Sequence, residues 1–372
     1  MLSSILGRYA VYDQEAYEAC LDKLVLEGDF ARVFPYIQLN LYVDHKAVQR
    51  LIACLRTKSV LIRYFRILTF AWLEGRIDKT NLLDLLNALN DCAKDDVDDD
   101  GTLVMIFSVI IPLPESDQIW ESFAMLARQI LSRYNYTYSP SKHSLDYQLE
   151  TIAKTVLASD AGAETAQIIA ENLLRESTYH YSGLNPYYPR LMNSLATCQP
   201  FIFLETFVGS LVDHGSGMDG FSDSRSFHGG IVDRPNLLGL IDESLIFLWC
   251  DQKPQLRYPA LSKAVALCRK VNSEAGQPVW EWTILALKLL SKAPQIEKVL
   301  PAFRFALFPS SWTGSRADMI EQRLPLLHIL KQHDNTDVVK WATDILSRLP
   351  DELRAARKRE EKLYNESYLQ FE

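Results

Sequence analysis

Prolines and glycines cut this chain into short segments whose apolar residues recur with a helical period, and that spacing leaves few folds open to it. Leu61, Tyr64, Phe65, Leu68, Ala71 and Trp72 fall at i, i+3, i+4 and i+7, the positions that share one face of a helix. The same spacing recurs at Phe123, Leu126, Ala127, Ile130 and Leu131, at Trp282, Leu285, Ala286 and Leu289, and at Val338, Trp341, Ala342, Ile345 and Leu349. Gly75, Gly101, Pro112, Pro114, Pro140, Gly162, Pro186, Pro189, Pro200, Pro254, Pro278, Pro294, Pro309 and Pro350 mark the joints. Proline is tolerated in the first turn of a helix and ends the one before it. The pattern predicts helices of roughly 12 to 20 residues joined by tight turns, with almost no strand.

A string of helical hairpins over 372 residues predicts an all-α protein. The expected architecture is a HEAT-like α-solenoid of stacked helical hairpins, with an irregular period near roughly 40 residues. A compact multi-helix bundle is the competing arrangement. The hydrophobic share of 48% and aromatic share of 11% suit a core-forming chain. Leu103 to Ile111 is the most apolar run; it falls well short of the ~20 residues that span a bilayer and predicts a fully buried helix. The start, Met1 to Tyr12, lacks a charged, apolar signal segment. The six cysteines are scattered singly, which predicts reduced buried thiols and a cytoplasmic setting.

The expected organisation is an N-terminal helical half over residues 1–208 and a Gly/Asp-rich loop over 209–235. A C-terminal helical half over 236–350 and a charged capping helix over 351–372 follow. In that last helix Arg357 with Glu361 and Lys362 with Glu366 stand four residues apart, and Leu349, Leu353, Ala356 and Leu363 keep one apolar stripe. Tyrosines crowd Tyr134 to Tyr138 and Tyr179 to Tyr188, a pattern expected to pack between repeats.

Motifs for catalysis fail in context. Gly215, Gly217 and Gly220 spell G-x-G-x-x-G, yet they follow a helical segment and lead into more loop, where a dinucleotide site needs a strand before and a helix after. Asp96, Asp98, Asp100 and Gly101 match half a calcium loop, but Phe107 stands where the bidentate glutamate belongs. Asp100 or Thr102 is instead expected to cap the next helix. His214 and His228, with Asp213, Asp219, Asp223 and Asp233, bracket the long loop and form the basis of an alternative reading as a metal-dependent enzyme. No cofactor is expected.

Two binding readings remain. Arg225, His228 and Arg234 in the long loop are candidates for a specific contact, because long loops in compact proteins often carry function. Arg50, Arg56, Lys58, Arg63 and Arg66 cluster around one predicted helix pair and could form a local basic groove for nucleic acid. The formal net charge of -8, from 47 acidic and 39 basic residues, works against a general nucleic-acid binder without excluding a local patch.

Residues 237–372 resemble the helical, HEAT-like C-terminal regions of large bacterial antiphage proteins that follow nucleotide-binding or sirtuin-type effector domains. Trp249, Cys250, Arg257, Trp312, Gly314, Ser315, Arg323, Trp341 and the terminal Phe371 and Glu372 carry the likeness. Ser315 is expected to cap a helix after a turn at Gly314, with Trp312 and Trp341 packed between helices. The effector half has no counterpart here. The resemblance implies a recognition or regulatory part that works alone or with a separate effector polypeptide. The expected function is a non-enzymatic recognition or scaffold module with a protein partner and no membrane.

Overall fold

The computed structural model describes residues 11–369 apart from 27, 57–59, 94–96, 112–116, 138–144, 180–187, 212–236, 273–277 and 309–313. Among the described residues the fold is all-α but for one two-stranded hairpin and an isolated bridge between Val43 and Ile77. The chain divides into two compact units between Phe203 and Leu204.

The first unit contains α1 (Gln14–Leu26), α2 (Phe34–Gln38), α3 (His45–Arg56), a 3-10 segment (Ile62–Ile67) running into α4 (Leu68–Leu73), α5 (Lys79–Ala93) and α6 (Val97–Ile110). It continues with α7 (Trp120–Arg133), α8 (Asp146–Val156), α9 (Ala163–Tyr179), α10 (Pro189–Cys198) and a final turn, Pro200–Phe203. Aspartates start several of these helices by accepting the first free backbone N–H groups. Asp13 takes Ala16 N at 2.9 Å, Asp44 takes Ala47 N at 2.8 Å and Asp78 takes Asn81 N at 2.9 Å. Pro35 and Pro189 sit in the first turns of α2 and α10, where a missing N–H costs nothing.

Packing follows two rows. In one, α1 packs on α3, α3 on α5, α5 on α7, α7 on α9, and α9 on Pro200–Phe203. In the other, α2 packs on the 3-10 segment, that segment and α4 on α6, α6 on α8, and α8 on α10. The rows meet where α2 touches α3 and where α6 and α8 touch α7. The core lies between them, with Leu51, Leu85, Leu89, Phe107, Phe123, Ile130, Leu149, Ile152, Leu191 and Leu195 almost fully buried. As expected, Leu103 to Ile111 forms a buried helical run: Leu103, Val104, Ile106, Phe107, Ile110 and Ile111 are all at or below 1% exposure. No helix among the described residues is long and apolar enough to cross a membrane.

Three close approaches lock this unit. Tyr134, Tyr136 and Tyr188 meet edge to face, with centroids 5.0, 5.7 and 6.5 Å apart, the geometry that ring quadrupoles favour. Burial pushes all three hydroxyls above the ordinary tyrosine value. Asp146 accepts Arg190 N at 3.0 Å and Leu191 N at 3.1 Å, so a carboxylate of α8 caps the start of α10. Gly162 is buried against the end of α8: a Cβ there would stand 2.5 Å from Leu157 Cα and 2.7 Å from Val156 O.

The second unit contains α11 (Glu243–Gln252), α12 (Pro254–Ala264), the antiparallel strands β1 (Cys268–Asn272) and β2 (Pro278–Trp282), α13 (Ile284–Lys292), α14 (Ile296–Leu307), α15 (Arg316–Leu330) and α16 (Thr336–Leu369). Helical turns from Leu204 to Leu211 precede α11 and pack on α12. α12 also packs on α11 and α14, while α15 packs on β2 and α16.

Several expectations are corrected. Trp282 closes β2 rather than opening a helix: Thr283 is the cap of α13, accepting Ala286 N at 3.2 Å. The Trp282 indole instead donates to Leu326 O at 2.8 Å. Asp100 is not the residue that starts α6, which begins at Val97 and runs through it; its side chain is 7% exposed and accepts from Arg133 at 2.8 Å. Pro350 ends no helix. α16 continues through it, and its lower half is tied down by side chains on α15, with Arg357 at 2.6 Å from Glu321; tertiary contacts outweigh the roughly 3 kcal/mol that an interior proline costs. Residues 351–369 are therefore the second half of α16 and not a separate capping helix. The two compact units divide between Phe203 and Leu204, a few residues before residue 208. Many helices are also shorter than 12 residues.

Candidate ligand-binding cleft

The first unit carries an open cleft of about 500 Å³ where α2, the 3-10 segment and α4 meet. Its shape comes from local chemistry. The run Ile62, Phe65, Leu68 and Ala71 is buried at a spacing of three, which a 3-10 turn keeps on one side. Arg63, Arg66 and Phe70 are therefore turned outward. Leu61, which shares a face with Phe65 and Leu68 only on an α-helical reading, is 45% exposed.

The floor is fixed by the turn after α4. Gly75 has φ +67, a left-handed conformation that glycine adopts without strain. This returns the chain so that Arg76 N donates to Ala71 O at 2.8 Å and Val43 N donates to Arg76 O at 2.8 Å. Val43 and Ile77 then form a short parallel bridge. The Arg76 guanidinium donates to Leu39 O and pairs through Nε with Glu74 at 2.8 Å. Asn40 Nδ2 donates to Tyr36 O at 2.7 Å, tying off the end of α2.

The lining is cationic and aromatic. Arg63 and Arg66 are exposed, and among the described residues neither has a carboxylate partner. Arg63 lies over the Tyr64 ring at 5.6 Å from its centroid. Tyr36 and Phe70 are 57% and 59% exposed, so their rings face the opening instead of the core. The one acid of the lining, Glu74, is engaged by Arg76. This arrangement can attract an anion and offer flat apolar faces to it.

Of the five basic residues expected to form a groove, the structure brings Arg63 and Arg66 together here. Arg56 is exposed at the end of α3, outside the lining, and Lys58 lies outside the described residues. Arg50 points the other way. It is 6% exposed, bonds Asp22 Oδ1 at 2.7 Å and pairs with Glu18, which Lys46 also approaches at 3.1 Å. Burial alone would raise the Glu18 pKa, but its bonds to Arg50 and Lys46 hold it below the ordinary glutamate value. Arg50 therefore serves the packing of α1 on α3. Tyr36, Asn40, Phe70 and Arg76 were not singled out in the sequence; only the fold gathers them.

Arg225, His228 and Arg234, with the glycine motif and the histidines and aspartates around it, lie outside the described residues. Among the described residues no three His, Cys, Asp or Glu side chains gather in a metal-sized site. The described cysteines form no disulfide; burial pushes Cys54 up to about 11 and Cys250 up to about 12, so both stay thiols at neutral pH.

In the second unit the polar clusters are closed on themselves. Glu205 accepts from Trp249 Nε1 at 2.8 Å and from Arg257 at 2.6 Å, and Arg257 also donates to Trp249 O at 2.6 Å and Gln252 at 2.7 Å. Gly314 has φ +80, and Ser315 caps α15 through Asp318 N at 3.1 Å. Glu360 of α16 completes that cap: it accepts from Ser315 Oγ at 2.9 Å, Arg316 N at 2.6 Å and Ala317 N at 3.2 Å. Trp341 is half-buried on α16, and Trp312 lies outside the described residues. Arg323 stacks on Trp280 at 4.5 Å. These groups hold helices together.

No protein-family model, curated protein or solved structure matches the chain.

Proposed function

We propose that this chain is a non-enzymatic recognition module and that the cleft between α2, the 3-10 segment and α4 is its binding site. The observation that carries this reading is the pair Arg63 and Arg66, exposed and without carboxylate partners beside the exposed rings of Tyr36 and Phe70. Exposed rings leave apolar surface in water, and aromatic and arginine side chains are enriched where a ligand covers such surface. The row-on-row packing of the first unit supports a HEAT-like solenoid, in which each helical pair contacts mainly its neighbours. The resemblance of residues 237–372 to antiphage helical regions would make a separate effector polypeptide the recipient of the signal, in a bacterial cytoplasm.

A panel of anions with flat apolar parts tests the reading: oligouridylate, a phosphotyrosine peptide and ATP, each titrated into the whole chain. At least one should bind, and Arg63→Glu with Arg66→Glu should weaken it by at least tenfold. Binding of none, or binding indifferent to both substitutions, refutes the assignment.

A further inference from the structure

We infer that the cleft takes a segment of single-stranded nucleic acid, about one or two nucleotides deep. This rests on the reading of the cleft as a binding site and names the class of ligand.

Three features select a strand over other anions. First, the charges are guanidinium groups. Arg63 and Arg66 stand three residues apart on a 3-10 turn, so both project from one side, and Arg76 stands at the floor of the same cleft. Planar guanidinium forks match the paired oxygens of a phosphodiester. Second, Tyr36, Tyr64 and Phe70 present rings in the same cleft. Stacking on such rings accepts any base, because every base has a flat face. A phosphopeptide would use the cations and leave most of this aromatic surface wet. Third, the site is concave and open. Its volume of about 500 Å³ is within the range of clefts that enclose small ligands, about 300–1,000 Å³. A duplex is read by a convex helix or ribbon entering its groove, so a hollow can reach only bases that are already unpaired. The overall charge of -8 does not oppose this, because the field near the cleft is set by the cations that line it.

Glu74 supplies a test that misfolding cannot imitate. It is the one acid of the lining and neutralises Arg76. Glu74→Gln removes that neutralising charge, while the guanidinium keeps its bond to Leu39 O, and should tighten a nucleic acid by about threefold.

The experiment is fluorescence anisotropy of the whole chain with labelled oligouridylate and oligothymidylate of about ten nucleotides, a duplex of the same length, ATP and a phosphotyrosine peptide. Two uncompensated arginines predict a slope of log affinity against log salt of about −1.4, or a loss of about sevenfold between roughly 50 and 200 mM salt. Arg66→Ala should reduce that slope to about −0.7. Phe70→Ala should weaken binding by about fivefold or more with an unchanged slope. The duplex and ATP should bind more weakly than the strand. The inference is overturned if no strand binds at about 50 mM salt, if Arg63→Glu with Arg66→Glu leaves strand binding unchanged, or if Glu74→Gln weakens it. It is also overturned if duplex or ATP binds as tightly as the strand. If the phosphotyrosine peptide binds at the two arginines and the strand does not, the cleft remains a recognition site and only its ligand class is wrong. If nothing binds there, both readings fall.

Discussion

Replacing Arg50 with methionine separates packing from recognition in the first unit. The substitution keeps the buried methylene stem and removes a guanidinium that is 6% exposed and bonded to Asp22 at 2.7 Å and to Glu18. A hydrogen bond to a charged group contributes about 1.5–3 kcal/mol. The Asp22 side chain is 55% exposed, so its bond is discounted to about 1 kcal/mol or less. Glu18, 17% exposed, retains Lys46 as a partner but loses its buried one. The sum is a cost of about 2–3 kcal/mol. For a unit of this size each kcal/mol moves the midpoint by about 2–4 °C, so thermal unfolding followed by circular dichroism should shift down by about 5–10 °C. The effect depends on pH. Because the folded-state pKa of Glu18 lies below its ordinary 4.5, the stabilisation is fully present above that value and is lost as pH falls through the lowered one. The gap between the native chain and Arg50→Met should therefore close in acid. Strand binding by the variant should match the native chain below its melting range, since Arg50 does not line the cleft. An unchanged midpoint, or a folded variant that no longer binds, would refute this division of labour.

Gly162→Ala should destabilise the first unit by about 2 kcal/mol or more, seen as a lower urea midpoint, because the new methyl meets backbone of Val156 and Leu157 that no rotamer change can move. Trp282→Phe keeps an aromatic ring near Phe303, 5.1 Å between centroids, but removes the indole N–H that donates to Leu326 O; about 1 kcal/mol should be lost in the same assay. Iodoacetamide at pH about 8 should leave Cys54 and Cys250 unmodified in the folded chain and reach them only after denaturation, as read by mass spectrometry.

The apolar period of the sequence locates helices wherever a helix has one buried face. Phe123, Leu126, Ala127, Ile130 and Leu131 are each at or below 2% exposure on α7. It misleads where a different period competes. Around Leu61 to Ala71 the buried set repeats every three residues, so a 3-10 turn replaces the expected helix face. At Trp280 and Trp282 a short alternation of two was hidden inside a helical pattern starting at Trp282, and only the pairing with Cys268–Asn272 makes it a strand. Charge was less informative than pattern. Arg50 and Arg63 look alike in sequence, and what distinguishes them is Glu18 and Asp22, about thirty residues upstream of Arg50, closing over one and not the other. The cleft draws on three separate stretches, near residues 36–40, 63–70 and 74–76, and no local motif could have joined them. The turn at Gly75 that brings the last stretch back was legible only as a breaker.

The cap that Glu360 places on Ser315, Arg316 and Ala317 spans more than forty residues of chain. The beginning of α15 consequently cannot fray by itself, as most helix ends do, unless the far portion of α16 lifts away with it. Amide protons at Arg316 and Ala317 should then exchange with deuterium at a rate set by detachment of the helix bearing Glu360, joining two distant stretches into one cooperative opening event. Whatever grasps that terminal helix would, through a single carboxylate, govern how readily its neighbour begins to unwind.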